Sequence, residues 1–155
     1  MLLHHFGIVS TKRKDCRDKA AWRKADYNEV KALLQQSVAL HDDLLQYISD
    51  SLRWIRCFNP CLQTEHSGLN LYDVTVIENS GASNAAQVFT AWASLFALSP
   101  SELRLTGSFV TNGESKDYEE LRFNRDEVVS GLQRLADACA TVSNNENQYL
   151  LHLGI

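Results

Sequence analysis

Residues Leu103–Phe123, LRLTGSFVTNGESKDYEELRF, carry the clearest strand pattern in the chain. Apolar and polar side chains alternate along Leu103–Thr111 and again along Tyr118–Phe123. A period of two is what a sheet with one buried face requires, and the Asn-Gly pair between the two runs tolerates the positive φ angles of a tight reversal. The stretch therefore predicts a β-hairpin with one face in the core. The residues expected on that buried face are Leu103, Leu105, Phe109, Leu121 and Phe123.

The turn and the returning strand of this hairpin are acidic. Between residues 113 and 121, Lys116 is the one basic residue among four carboxylates. Tyr118 stands among those carboxylates, and tyrosine beside acidic groups suits recognition of a basic protein surface. Asp42 and Asp43 form a second acidic patch. The predicted partner-binding residues are Glu114, Asp117, Tyr118, Glu119, Glu120, Asp42 and Asp43.

The length and composition of the chain predict a single globular domain, residues 1–155. Hydrophobic content of 45% and charged content of 22% are ordinary for such a domain. The net charge of −4 divides unevenly, because residues 1–24 carry +5 and the rest of the chain carries −9. An acidic body disfavours nucleic acid as a partner and favours a basic protein. Two roles are open for the basic segment: it binds phosphate, or it pairs with the acidic body.

The sequence predicts a reduced, cytoplasmic protein. The first residues, MLLHHFGIVSTKRK, lack the long apolar run of a secretory signal. The sequence contains no run of about 18 apolar residues, so no membrane span is expected. The four cysteines show no dense disulfide framework.

The first part of the chain, residues 1–60, is predicted to be mainly helical. Apolar residues recur at threes and fours from Val30 to Ile55, which predicts one long helix or two consecutive ones. Asn59-Pro60 then ends the helical pattern. Before it, Leu2–Val9 predicts an edge strand or a tucked terminus. Its sequence LLHHFGI resembles LLHLGI at the other end of the chain. Either the two segments are similar short strands, or the likeness is a coincidence.

The second part, residues 69–155, predicts an α+β unit. A strand at Leu71–Glu78, a helix at Ser83–Leu98, the hairpin, a helix from Asn124 or Asp126 to Val142, and a closing strand follow one another. Residues 61–70 are expected to be a polar loop. The β-α-β-β-α-β order is that of a split βαβ fold. It predicts a mostly antiparallel four-stranded sheet with both helices on one face.

No residue pattern in the chain identifies a catalytic, metal or cofactor site. Cys57, Cys61 and His66 supply only one half of a structural zinc pattern, so two unlinked thiols are favoured. His4 and His152 meet if the two terminal segments pair, but neither has a nucleophile in a recognisable context. Neighbouring carboxylates on one strand point to opposite faces and do not converge unless a bulge intervenes. We therefore expect a protein that is not an enzyme.

Three segments of the chain resemble bacterial immunity proteins, the small cognate antitoxins of contact-dependent growth inhibition and related polymorphic toxin systems. The resemblance lies in the core residues and the order of elements. The segments are LNLYDVTVIENSGASNAAQVFTAWASLFALSPSELRLTGSF, YEELRFNRDEVVSGLQRLADACA and the terminal YLLHLGI, all between Leu69 and Ile155.

The resemblance implies a function without catalysis. Such a protein binds the toxic C-terminal domain of a delivered toxin in the cytoplasm and blocks its active site. The toxins are often nucleases or other effectors with basic surfaces, which an acidic body complements. The alternatives are a structural or adaptor subunit and, less favoured, a small hydrolase that uses His152 or the carboxylates.

Overall fold

The computed structural model of the chain describes residues 2–23, 25–113 and 115–155. Within these residues, strands and short helices alternate through the first half and two long helices occupy the second. The strands are β1 (Leu3–Ser10), β2 (Gln35–His41), β3 (Arg56–Asn59), β4 (Thr64–Ser67), β5 (Val74–Ile77), β6 (Glu102–Asn112), β7 (Ser115–Asn124) and β8 (Gln148–Leu153). The helices are α1 (Lys19–Arg23), α2 (Tyr27–Lys31), α3 (Asp42–Tyr47), α4 (Ser49–Leu52), α5 (Asn79–Phe96) and α6 (Arg125–Ser143).

The main sheet has six strands in the order β2-β1-β8-β5-β3-β4, and every neighbouring pair is antiparallel. The α+β class is confirmed, but the prediction of a four-stranded sheet is wrong. Strands β6 and β7 leave the sheet and pair only with each other. The two similar terminal segments are both strands, and they pair from His5 with Leu153 to Ser10 with Gln148.

Both faces of the main sheet are covered. Helices α5 and α6 pack on one face, where Phe6 and Leu150 meet Phe89 and Leu132 in a fully buried core. The segment between β1 and β2, with its short helices, covers the other face. The core there contains Val9, Cys16, Trp22, Val30, Phe58, Val76, Tyr149, Leu151 and Leu153.

The prediction of long helices in residues 1–60 is wrong, since the helices there span only four to six residues. Residues 35–41 form β2, which pairs with β1. Val38 and Leu40 are buried in this strand at a spacing of two, although Val38 belonged to the apolar series that predicted a helix. The φ of Gln36, +51°, interrupts any right-handed helix there. Tertiary pairing has overridden the helical period.

The second half of the chain follows the predicted order of elements more closely. Helix α6 begins at its N-cap Asn124, whose side chain accepts hydrogen bonds from the amides of Asp126 and Glu127. Helix α5 begins four residues earlier than predicted and contains Gly81. A Cβ on Gly81 would lie 2.1 Å from the carbonyl oxygen of Arg56, so this glycine allows the helix to approach β3 closely. The predicted loop at 61–70 contains strand β4.

Candidate functional site

The outer part of the β6–β7 hairpin is the most exposed regular structure in the described residues. We call residues 106–113 and 115–120 the arm. Every arm residue whose burial is described is exposed except Gly107, which is half-buried. At its base, Leu103 and Leu121 are buried in the body. The predicted turn is confirmed, because Gly113 has a φ of +58°.

A β-bulge reshapes the arm. Between Thr106 and Phe109, strand β6 carries one residue more than the opposing stretch of β7, since Thr106 pairs with Glu120 and Phe109 with Tyr118. The extra residue moves Phe109 off the face shared by Leu105 and Leu121. The prediction that Phe109 is a core residue is therefore wrong, and its side chain is 56% exposed.

The bulge creates an aromatic pair on the outer face of the arm. The rings of Phe109 and Tyr118 meet edge to face with centroids 5.2 Å apart, and Tyr118 is 61% exposed. Glu120 lies on the same face of β7 as Tyr118, two residues along the strand. Its carboxylate accepts a hydrogen bond of 2.5 Å from Arg122. Aromatic side chains are enriched at protein-binding surfaces.

The inner face of the arm overhangs α3. A cavity of about 250 Å³ lies between them, lined by Asp43, Gln46 and Tyr47 on one side and by Gly107 and Glu119 on the other. The structure therefore brings together two of the acidic positions that the sequence placed far apart. The groove is open to solvent.

A second, larger cavity of about 520 Å³ lies between β2 and β7. His41, Asp43, Glu119, Glu120 and Glu127 are among its lining residues. His41 also packs against Phe123, with ring centroids 5.6 Å apart. Four acidic residues and one arginine, Arg122, thus line this cavity, and the excess of negative charge favours a positively charged partner.

The predicted partner-binding residues divide into three groups. Asp117, Tyr118, Glu119 and Glu120 are exposed on the arm, and Asp43 lies opposite its inner face. Glu114 lies outside the described residues. Asp42 is only 5% exposed and faces the interior, so it does not belong to a surface patch.

Asp42 instead ends a buried chain of polar side chains beneath the sheet. Its Oδ1 lies 2.8 Å from Nε2 of His4, and Nδ1 of His4 lies 2.9 Å from Nε2 of His152. Gln46 donates a hydrogen bond of 2.6 Å to the other carboxylate oxygen. His4 and His152 have no exposed surface. The two rings are therefore closed off from solvent.

Three of the four cysteines are buried. All four are free, and burial raises the pKa of Cys16, Cys57 and Cys139 to about 12. Thiols with such pKa values stay protonated and are poor nucleophiles at neutral pH. Cys57 does lie across from His66 in the β3–β4 pair. Among the residues that the structure describes, no three His, Cys, Asp or Glu side chains are grouped to hold a metal ion.

The basic N-terminal segment contributes to the body through Arg17. Its guanidinium bonds Glu78 and Glu65, with 3.0 Å from Nη2 to Oε1 of Glu65, and it lies 3.9 Å from the ring centre of Phe58. These acidic partners raise the pKa of Arg17. Of the two roles open to the segment, Arg17 follows the second, which is pairing with the acidic body.

Sequence reasoning missed the exposure of Phe109 and the part of α3 that faces the arm. One signal for the first was present. An isolated glycine within a strand pattern indicates a bulge, and Gly107 lies at that point. Gln46 and Tyr47 carried no such signal, because they lie within the stretch that was predicted to be a long helix.

Comparisons with protein-family models, with characterised proteins and with solved structures found no match to this chain. Within the described residues, no helix combines the length and the apolar character needed to cross a bilayer.

Proposed function

We propose that this protein is a non-catalytic immunity protein. It binds the C-terminal domain of a cognate toxin, a nuclease-type effector with a basic surface, in the cytoplasm and occludes its active site. The arm is the binding element in this proposal. The observation that carries it is the solvent-exposed aromatic pair Phe109–Tyr118 on a ribbon bordered by Asp117, Glu119 and Glu120.

The physical argument rests on what the arm gains by binding. Two adjacent aromatic rings offer a large contact area with few rotatable bonds, and such residues dominate the binding energy of many interfaces. The carboxylates add long-range attraction to a basic domain, which accelerates association and disfavours partners of the same charge. Nothing in the core of the fold requires these side chains to be exposed together.

The chemistry of the described residues supports a binding function over a hydrolytic one. The His4–His152 pair is sealed, and the three thiols with strongly raised pKa values stay protonated. Glu119 and Glu120 remain on opposite faces of β7, because the bulge lies on β6 and leaves the alternation of β7 intact.

The test is coexpression with a toxin domain encoded next to this gene, scored by growth rescue and by co-purification. The double variant Phe109→Ala/Tyr118→Ala should lose co-purification, with a binding loss of about 2 kcal/mol or more. The control variant Tyr72→Ala removes another aromatic ring that is 76% exposed, and it should bind as the unmodified protein does. Equal binding by all three proteins would remove the arm from the interface.

The coexpression experiment also separates the proposal from an adaptor function. An adaptor binds its partner without relieving toxicity, so co-purification with no growth rescue would favour it. Folded protein that neither rescues growth nor co-purifies would show that the chosen toxin is not the partner.

A further inference from the structure

We propose that the Asp42–His4–His152 chain is a proton-excluding lock that holds the N-terminal and C-terminal strands together at neutral pH and weakens that connection in acid. The inference is independent of the proposed binding function. It rests on the hydrogen-bond geometry of three buried side chains. They come from β1, β8 and the first turn of α3.

The positions of the hydrogens in the Asp42–His4–His152 hydrogen-bond chain follow from the chemistry of the Asp42 carboxylate at one end and of His152 at the other. An ionised Asp42 only accepts, so Nε2 of His4 must carry a hydrogen and donate to Oδ1. In a neutral His4 the other ring nitrogen, Nδ1, is then an acceptor. Nε2 of His152 must donate to it, which leaves Nδ1 of His152 without a hydrogen.

The surroundings of His152 agree with this assignment. Its Nδ1 is buried and has no hydrogen-bond partner, which suits a bare nitrogen better than an N–H, because a buried donor without an acceptor is costly. The ring of Phe6 lies 4.7 Å from the ring of His152, centre to centre. On the other side, β5 places Thr75 opposite His152, and the Thr75 hydroxyl accepts a hydrogen bond from the amide of Asn70.

An additional proton has no favourable position on His4 or His152 in the folded protein. If it binds His152, Nδ1 becomes an N–H that faces no acceptor. If it binds His4, both nitrogens of His4 donate, and a neutral His152 must accept at Nε2 and carry its own hydrogen at Nδ1. Both arrangements leave the same orphaned N–H, so the folded state excludes the proton.

The charged and titratable groups around His152 also support a neutral imidazole. Among the described residues, His4 on β1 faces it directly, and Asp42 on α3 acts on it through His4. Its neighbours Phe6 and Thr75 are not titratable in this range. Burial, and then the neighbouring His4, lowers the pKa of His152 well below its ordinary value.

The sign of the pH effect follows from these protonation states. Well above pH 6.5, His152 is neutral both folded and unfolded, and its contribution to stability does not change with pH. Below pH 6.5, the unfolded chain binds a proton that the folded chain excludes, so stability falls as the pH falls. One excluded proton lowers the folding equilibrium constant by about tenfold for each pH unit.

Urea unfolding between pH 5.0 and 8.0 tests the lock. In the wild-type protein, exclusion of the proton from His152 should by itself lower the folding constant by about tenfold per pH unit below pH 6.5. The variant His152→Phe replaces the imidazole by an apolar ring and should have a slope smaller by about one proton. The control Leu150→Val truncates another buried side chain of β8, changes no titratable group and should retain the wild-type slope. An unchanged slope in His152→Phe would overturn the proposal.

Nitrogen-15 NMR of the wild-type imidazole rings tests the same assignment without relying on a variant to fold. The expected spectrum has hydrogen on Nε2 of both His4 and His152, no hydrogen on Nδ1 of His152, and no titration of His152 while the protein stays folded. A doubly protonated His152 in folded protein at pH 5.5, or a hydrogen on its Nδ1, would refute the lock.

Discussion

Strands β7 and β8 occupy opposite environments, and their sequences differ: β7 alternates along Tyr118–Phe123, whereas β8, QYLLHL, is apolar at four of its six positions. Strand β8 is the third strand of the six and is buried along nearly its whole length, whereas β7 is exposed from Lys116 to Glu120. We call the pairing of β1 with β8 the terminal seam. The arm and the seam show that a nearly continuous apolar run indicates burial on both faces, whereas alternation alone does not show that one face becomes buried.

The two regions also differ in whether their polar side chains are buried or exposed. In the seam, the polar side chains of His4 and His152 are buried and bonded to each other. On the arm, polar and aromatic side chains share the exposed surface. A buried polar group needs a partner, since leaving it unpaired costs free energy. The buried hydrogen bond therefore favours one packing of β1 on β8, while the exposed side chains of the arm are available for contacts with another molecule.

The largest difference between the two regions should appear when one phenylalanine of each is truncated. Phe6→Ala in the seam removes a fully buried ring that packs edge to face on Phe89. It should destabilise the protein by about 3–5 kcal/mol. Phe109→Ala on the arm should cost less than about 1 kcal/mol, because the ring is mostly exposed. Urea denaturation of both variants measures this contrast, and equal losses would show that the arm belongs to the core.

A smaller contrast is expected from two glycines. A Cβ on Gly7 would lie 2.6 Å from Cβ of Leu34, so Gly7→Ala should cost about 1–3 kcal/mol through overpacking. Gly113 has nothing within 4 Å, but its φ is +58°. Gly113→Ala should therefore cost about 1 kcal/mol through backbone strain alone. Thermal unfolding of the two variants separates these causes, because a second variant, Gly113→Asn, should recover most of the loss at the turn and Gly7→Asn should not.

The smallest effect on stability should come from reversing charge on the arm. Glu119→Lys/Glu120→Lys should leave the free energy of unfolding within about 0.5 kcal/mol. It should slow association with a basic toxin domain by on the order of tenfold at low salt and by less at high salt. Stopped-flow association at two ionic strengths measures this change.

The matched control for charge reversal is Asp50→Lys/Asp137→Lys. It changes the net charge by the same amount at two exposed positions outside the arm. It should slow association less than the arm variant does. If the two double variants slow association equally, net charge controls the rate and the arm has no special part in it.

Much of the second half of the chain was predictable because its signals are local. The cap at Asn124, the turn at Gly113 and the apolar faces of α5 and α6 act within a few residues. The first half was not predictable in the same way. Its apolar series fitted a helical period, and the choice of strand for residues 35–41 depends on pairing with β1.

The candidate site was predictable in composition but not in shape. The acidic residues and Tyr118 could be identified as a surface from the sequence. The aromatic pair could not, since a single bulged residue reversed the face of Phe109. The position of Asp43 opposite Glu119, and the burial of Asp42 one residue away, both depend on where α3 packs.

The sequence by itself determined the elements that local chemistry controls, which are the hairpin turn, the two long helices, the alternation of the strands and the acidic surface. The tertiary structure alone decided the six-strand order, the exposure of both faces of the arm and the meeting of His4 with His152 and Asp42. The reason is physical. Turns, caps and periodicity involve neighbours in the chain, whereas strand pairing and the sharing of hydrogen bonds between buried side chains depend on residues as far apart as 148 positions.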